Sequence, residues 1–266
     1  MRTAFTYNIL RRWAFLAATL ILIVMNFLSN TIPFGGKTMA EVSAQYPTMI
    51  TPAGYAFSIW GLSYLLLLVF SIFQLRRGRE SRFYNLIWPF YMLNVAANIA
   101  WLFAFQYNAI AVSVVIMLIL LYSLIRIFGL FYRFRNKLGT TRRFFFQVPF
   151  SLYFGWVSVA AIVNISVLLY SLEIAALMNH QSLFAIAMII AAAVLGLAIL
   201  LSNYDYVFAL AITWALVAIW VGQDSVAVVT TAKFAAIGLI ATMVYRFAAR
   251  RVKLSRYGRK RASLNQ

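Results

Sequence analysis

The sequence predicts an all-α membrane protein with eight transmembrane helices, and three observations lead to this prediction. The first is composition, since 64% of the 266 residues are hydrophobic and 11% are charged, whereas a soluble domain is about half apolar and a quarter charged. The second is a series of apolar segments, each near the roughly 20 residues that a bilayer-spanning helix needs. The third is the placement of the basic residues between those segments.

Eight apolar segments are predicted to cross the bilayer as helices, because a spanning segment must satisfy its own backbone hydrogen bonds. They cover residues 13–32, 52–75, 86–106, 109–132, 146–171, 182–201, 205–222 and 226–247. The first segment follows basic residues, as the apolar part of a signal peptide does, but it is long and no Ala-x-Ala site follows it. We therefore expect it to remain as a helix. The seventh segment is the shortest.

The basic residues indicate the orientation of the chain. All but two of the 23 lysine and arginine residues fall on one side of an eight-helix arrangement, and the exceptions are Lys37 and Lys233. Since positive residues stay on the cytoplasmic side, both termini are predicted to be cytoplasmic, in a bacterial inner membrane. Residues 250–266 form a basic cytoplasmic tail that we expect to face anionic membrane lipid.

Composition also excludes several classes of function. The chain has no cysteine and one histidine, which excludes thiolate chemistry and histidine-rich metal sites. The sequence contains no phosphate-binding loop, dinucleotide fingerprint or nucleophile–base pair, so we do not predict an enzyme. The net charge of +18 could indicate a nucleic-acid partner. We expect none, because the charges are distributed between the apolar segments.

The second predicted helix opens with an aromatic stripe. Pro52 suits a first helical turn, where its missing N–H is not needed. One face then carries four residues at helical spacing, namely Phe57, Trp60, Gly61 and Tyr64. Gly61 would let another backbone or a flat ligand approach closely. Trp60 lies about 12 Å into the helix at 1.5 Å per residue, which is deeper than an interfacial aromatic belt and favours a pocket.

Two further predicted helices carry a tryptophan beside polar residues on one face. In the third helix these residues are Asn94, Asn98 and Trp101. In the fifth helix they are Tyr153, Trp156, Ala160 and Asn164. Polar side chains inside a membrane face the bundle to find partners, and hydrogen bonds between helices explain them as well as ligand binding does. The three faces together predict an aromatic-lined cavity among the second, third and fifth helices.

These motifs resemble those of the TspO/MBR family, the tryptophan-rich sensory proteins and translocator proteins. The family's second helix has a Pro-Pro…Trp-x-x-x-Tyr pattern, which is matched here by Pro52, Trp60 and Tyr64. Its third helix has Asn-x-Ala-Trp, matched by Asn98, Ala100 and Trp101. Its fifth helix has Tyr-x-x-Trp and a later asparagine, matched by Tyr153, Trp156 and Asn164. The resemblance covers residues 8–174.

The resemblance implies a five-helix membrane bundle over residues 1–174, in which the loop 33–51 covers a pocket for a tetrapyrrole such as protoporphyrin. Residues 175–249 would then be a three-helix extension that the five-helix family lacks. No cofactor is required, and a porphyrin is the ligand to expect. The residues implied to bind it are Pro52, Phe57, Trp60, Tyr64, Asn94, Asn98, Trp101, Tyr153, Trp156 and Asn164.

Three functions stay open at this point. The first is a sensor or transfer protein for a flat hydrophobic ligand, with membrane lipid and a second copy of the chain as further partners. The second is a secondary transporter of a small hydrophobic or amphipathic solute, although no internal repeat is visible. The third is a scaffold that acts through its basic tail. Asp205 is expected to cap a helix, and Arg126 to extend towards the basic side or to pair with a ligand carboxylate.

Overall fold

In this computed structural model, all regular secondary structure of the described residues is helical. The backbone is described for residues 2–75, 81–174 and 179–263, and side chains for 9–75, 82–174 and 179–250. The α-helices are α1 (Arg2–Thr31), α2 (Met39–Ala44), α3 (Ser58–Phe73), α4 (Ser81–Gln106), α5 (Ile110–Phe134), α6 (Thr140–Ser171), α7 (Gln181–Asn203), α8 (Tyr206–Gly222) and α9 (Val226–Ser263). The predicted all-α fold is confirmed.

Seven helices in the described residues are long and apolar enough to cross a membrane, which makes the chain an integral membrane protein. They are α1, α3 with the 3₁₀ turn before it, α4, α5, α6, α7 and α9. The remaining apolar helix, α8, has only 17 residues. At 1.5 Å per residue it is about 25 Å long, near the lower limit for a spanning helix. The eight predicted segments therefore all form helices, and the seventh is the short one.

One end of the bundle carries many of the described basic residues. Phe73 of α3 stacks on Phe145 of α6, with ring centroids 4.3 Å apart. Tyr132 of α5 donates a hydrogen bond to Asp205, just before α8, at 3.2 Å. These contacts bring together the last turns of α3 and α5 with the starts of α6 and α8. We call this the basic end, because the arginines between residues 133 and 143 also lie here.

The opposite end is crossed by the connection between α1 and α3, residues 32–53, which we call the cover. The cover contains α2, whose buried residues are Met39, Val42 and Ser43. Tyr46 in the cover donates a hydrogen bond to Asn108, between α4 and α5, at 3.2 Å. The two basic residues predicted to lie on the side opposite the others are both at this end. Lys37 is in the cover, and Lys233 lies over the Trp220 ring near the end of α8.

The prediction that Pro52 begins a helix is wrong. The preceding segment is extended up to Ala53, which has φ −54° and ψ 144°. The Ala53 N–H donates to the carbonyl oxygen of Ala218 on α8 at 2.9 Å. A 3₁₀ turn then covers Gly54–Phe57, and α3 follows it. Pro52 is therefore held in an extended segment by α8, a contact that lies far away in the sequence.

The three C-terminal helices share one hydrophobic core with the helices before them. Phe208, Ile212 and Leu216 of α8 belong to the same buried cluster as residues from α1 to α6. Gly155 of α6 allows the close approach of α8, because a Cβ atom at this position would lie 2.8 Å from the Cβ of Ala211. The predicted division at residue 175 falls on residues 175–178, which lie outside the described residues.

Candidate ligand-binding site

The tryptophans of α3, α4 and α6 meet inside the bundle, on the side of the cover. The Trp60 ring lies 5.7 Å from the Trp101 ring and 6.0 Å from the Trp156 ring, centroid to centroid. Trp60 also stacks on Tyr64 at 5.7 Å and meets Tyr153 edge to face at 5.9 Å. These distances are in the range in which aromatic pairs attract each other. The three faces singled out in the sequence therefore meet in one aromatic cluster.

A small cavity adjoins this cluster and is almost entirely apolar. Among the residues that line it are Pro52, Phe57, Trp60, Trp101, Phe105 and Trp156. It has a volume of about 30 Å³, far below the roughly 300–1,000 Å³ of typical small-molecule sites. The predicted aromatic-lined cavity is thus present but nearly closed, because the rings pack against each other.

A hydrogen-bond network centred on Asn98 lies beside the aromatic cluster. The Asn98 side chain donates to the hydroxyl of Tyr153 at 2.8 Å and to the hydroxyl of Tyr64 at 3.1 Å. Asn26 of α1 donates to the Asn98 oxygen at 3.1 Å. All four residues are buried. The network joins α1, α3, α4 and α6, so these polar groups satisfy each other between helices.

A second network fixes one wall of the cavity. The indole N–H of Trp101 donates to the side-chain oxygen of Asn164 at 3.0 Å. Asn164 in turn donates to the hydroxyl of Ser113 on α5 at 2.9 Å. Trp101 and Asn164 both line the cavity, and the indole of Trp101 is therefore held in place by a hydrogen bond to α6.

Two polar atoms at the cavity have no partner. The indole nitrogen of Trp156 and the hydroxyl oxygen of Ser43 are both buried and make no hydrogen bond. Trp156 is 3% exposed and Ser43 is 2% exposed, and both residues line the cavity. Burying a polar group without a hydrogen bond costs free energy. A bound molecule with a hydrogen-bond acceptor would satisfy the Trp156 donor.

The ten residues implied to bind ligand occupy three kinds of position. Six line the cavity, namely Pro52, Phe57, Trp60, Trp101, Trp156 and Asn164. Three belong to the adjoining hydrogen-bond network, namely Tyr64, Asn98 and Tyr153. Asn94 is directed elsewhere, because it donates to Ser123 of α5 at 2.8 Å. No other backbone approaches Gly61, since a Cβ atom there would meet no atom of another element within 4 Å.

Sequence reasoning missed three polar residues of this region. Ser43 lines the cavity from the cover, but it lies in a six-residue helix that gives no periodic signal. Asn26 could have been found, because an asparagine within an apolar segment needs a polar partner. Ser113 lies on α5, a helix without an aromatic motif, so no pattern in the sequence marks it.

The short helix α8 anchors the segment that leads into the site. The side chain of Gln223 donates to the carbonyl oxygens of Thr48 and Thr51, at 3.3 and 2.7 Å. The indole of Trp214 donates to the carbonyl oxygen of Ala56 at 3.2 Å. α8 therefore fixes the end of the cover and the turn from which α3 begins, so the C-terminal helices contribute to the shape of the site.

Arg126 and Asp205 lie outside this site. Arg126 is exposed on α5, donates to the hydroxyl of Tyr122 at 2.9 Å and lies over the Phe90 ring, so it does not line the cavity. Asp205 accepts a hydrogen bond from the backbone N–H of Phe208 at 3.1 Å. It is the N-cap of α8, as its position in the sequence predicts.

The comparison with known protein families agrees with this arrangement. A family model described as TSPO-like protein matches residues 12–245. The chain belongs to the TSPO-like protein family. The match extends beyond the motifs of residues 8–174 and takes in α7, α8 and about half of α9, the helices that share the core of the bundle. No curated protein and no solved structure gives a match. Family and fold together make this TSPO-like protein a membrane protein of the TspO type.

Proposed function

We propose that this TSPO-like protein binds a flat, mostly apolar ligand between the rings of Trp60, Trp101 and Trp156. The observation that supports this most is that Trp156, which lines the nearly apolar cavity, carries a buried N–H without a partner. Ligand sites combine apolar walls with a few polar groups that orient the ligand. A conjugated ring system that carries hydrogen-bond acceptors fits these walls. Protoporphyrin, the ligand that the family resemblance implies, is of this class.

The site has to open before such a ligand can enter. Small-molecule sites typically have volumes of about 300–1,000 Å³, whereas this cavity has about 30 Å³. The rings of Trp60 and Trp101 must therefore separate, and a neighbouring element must move. The long helices share one continuous core, so their displacement would disrupt many contacts.

The cover is the element best suited to move. Its helix α2 has six residues, and some of its hydrogen bonds to the bundle are exposed. Asn108 takes part in two of these, with Tyr46 at 3.2 Å and with Gln45 at 3.3 Å. Met39 and Val42 of α2 are buried, but exposed hydrogen bonds of this kind open at lower free energy than a continuous core does. Movement of α2 would also carry Ser43 away from the cavity.

The distribution of basic residues supports an opening on the outer side of the membrane. The basic end is cytoplasmic under the positive-inside rule, so the cover faces the opposite side of a bacterial inner membrane. Ligand would then be received at the cover, between helices surrounded by lipid. A sensor or a ligand-transfer protein would use such a site, because the state of the cover reports whether the cavity is filled.

A titration with protoporphyrin tests the proposal. The purified full chain is titrated in detergent, and binding is followed by the absorbance of the porphyrin, which tryptophan substitutions do not alter. Trp156→Phe keeps an aromatic ring but removes the free donor, so affinity should fall about tenfold for the loss of one hydrogen bond. The matched control is Trp220→Phe, because Trp220 lies on α8 outside the cavity lining.

Two results would overturn the proposal. One is the absence of saturable binding by the wild-type chain. The other is an equal loss of affinity in Trp156→Phe and Trp220→Phe, which would show that porphyrin binds to the apolar surface without using the cavity.

A further inference from the structure

A second cavity lies at the basic end, outside the site described above. Its volume is about 640 Å³, within the range of small-molecule sites. Its walls carry four arginines, namely Arg135, Arg143, Arg246 and Arg250. We call it the arginine cavity. Nothing in the aromatic cluster or the cover contributes to it.

The arginine cavity exists because the turn between α7 and α8 is set back into the bundle. Asp205 in this turn accepts a hydrogen bond from Ser151, which lies eleven residues after the start of α6 at Thr140. At 1.5 Å per residue, this is about 16 Å from the end of α6. α9 extends in the same direction beyond Arg246, which donates to the carbonyl oxygen of Leu201 at 2.8 Å. The end of α5, the start of α6 and residues 245–250 of α9 thus surround a recess whose floor is the turn before α8.

The positive charge of the arginine cavity is not balanced by the described part of the chain. Asp205 is the acidic residue that the described residues place at this end, and it is fully buried. One of its carboxylate oxygens accepts hydrogen bonds from Tyr132, Gln147 and Ser151. The other accepts from the backbone of Phe208. A recess lined by one sign of charge attracts ions of the opposite sign.

Two of the arginines are held in fixed orientations. The guanidinium of Arg246 lies 4.2 Å from the Tyr204 ring centroid, and that of Arg135 lies 4.8 Å from the Tyr132 ring centroid. The Nε atom of Arg246 is buried and has no partner. A guanidinium stacked on a ring presents its donors as a planar fork, which matches the oxygens of a phosphate. The positive-inside rule would explain why the arginines lie on this side of the membrane. It would not explain why four of them line the same recess.

We infer that the arginine cavity binds a phosphate group. The phosphate could be supplied by the headgroup of an anionic phospholipid, because the cavity opens at the end of the transmembrane helices. It could also belong to a soluble phosphate compound on the same side. In both cases the guanidinium groups make charge-assisted, bidentate hydrogen bonds to the phosphate oxygens.

The experiment measures phosphate binding by the purified full chain with calorimetry. The probes are dihexanoyl phosphatidylglycerol, dihexanoyl phosphatidylcholine and inorganic pyrophosphate. The test variant is Arg143→Gln combined with Arg250→Gln, which leaves the hydrogen bond between Arg246 and Leu201 intact. The matched control is Arg133→Gln, because Arg133 is exposed at the same end and does not line the cavity.

We expect the wild type to bind phosphatidylglycerol or pyrophosphate, and the double variant to bind about tenfold or more weakly, because charged hydrogen bonds are lost. Arg133→Gln should stay within about twofold, since an exposed charge contributes little. Binding of the lipid alone would assign the phosphate to phospholipid, and binding of both would show that the phosphate group itself is recognised. Two results would overturn the inference: neither anion binds, or Arg133→Gln loses as much affinity as the double variant. The second would mean that diffuse charge, and no defined cavity, attracts the anions.

Discussion

Trp101 and Trp156 offer a matched pair of substitutions, because one indole N–H is satisfied and the other is not. Trp101 donates to Asn164 at 3.0 Å, whereas the N–H of Trp156 has no partner. Both side chains are nearly fully buried, with exposures of 4% and 3%. We predict that, in the absence of ligand, Trp101→Phe destabilises the protein more than Trp156→Phe does.

The expected difference follows from hydrogen bonding. Both substitutions remove the same atoms, so the costs of lost packing cancel to a first approximation. Trp101→Phe breaks a hydrogen bond worth about 0.5–1.5 kcal/mol. The side-chain oxygen of Asn164 then keeps only the long contact from the Ser113 hydroxyl, at 3.4 Å. Trp156→Phe removes a donor whose unpaired burial costs about 1–3 kcal/mol. We therefore expect Trp101→Phe to lower the free energy of unfolding by about 1.5–4.5 kcal/mol more than Trp156→Phe does.

The measurement is a denaturant titration of both variants and the wild type in the same detergent, followed by helical circular dichroism. The free energies of unfolding are compared at a common m-value, which is the slope of the free energy against denaturant concentration. The difference then reports stability alone. If Trp156→Phe is as destabilising as Trp101→Phe, the Trp156 N–H has a partner in the folded protein. The reasoning that makes it a free donor for a ligand would then be refuted.

Three further predictions concern the packing of α8 and the stability of the cover. Gly155→Ala should destabilise the protein by about 1–3 kcal/mol through overpacking, measured by thermal unfolding, because the new Cβ would lie 2.8 Å from Ala211. Asp205→Ala should lower the melting temperature by removing the N-cap of α8. Hydrogen bonds from Thr38 hold the pKa of Glu41 below its ordinary value of 4.5. The protection of the α2 amides, taken relative to their intrinsic exchange rate at each pH, should therefore be complete above about pH 4.5 and decrease as the pH falls through the lowered pKa.

The meeting of the three tryptophans could be predicted from the sequence. Helical periodicity places Trp60, Trp101 and Trp156 each on one face, beside residues that are polar or small. Polar groups inside a membrane must find partners within the bundle, so these faces turn inwards and meet. The Asn98 network follows the same logic.

The closed state of the cavity could not be predicted, because it depends on ring orientations. A stripe of aromatic residues is compatible with an open cavity or with rings that fill the space themselves. Here Trp60 approaches both other tryptophans within 6.0 Å, at interplanar angles of 33° and 90°. Asn94 shows a related difficulty, since it shares a helical face with Asn98 but bonds to α5 instead.

The contribution of α8 was also outside the reach of sequence patterns. α8 is apolar along its whole length, so no face of it is marked as the one that meets the site. Its contacts with Ala53 and Ala56 use backbone atoms of those residues, which leave no trace in side-chain composition. The arginine cavity likewise depends on how far the turn before α8 is set back.

The central claim is that a nearly closed aromatic cavity admits its ligand when the cover opens, and bridging the cover to the bundle tests it most directly. The chain has no cysteine, so Gln45→Cys with Asn108→Cys introduces the only two thiols. In the wild type the side-chain nitrogen of Asn108 donates to the side-chain oxygen of Gln45 at 3.3 Å. A short bifunctional thiol reagent then joins the two thiols, and protoporphyrin binding is measured before and after bridging. We predict that the unbridged variant binds as the wild type does and that the bridged protein loses saturable binding. Binding of equal affinity and rate in the bridged protein would contradict the account.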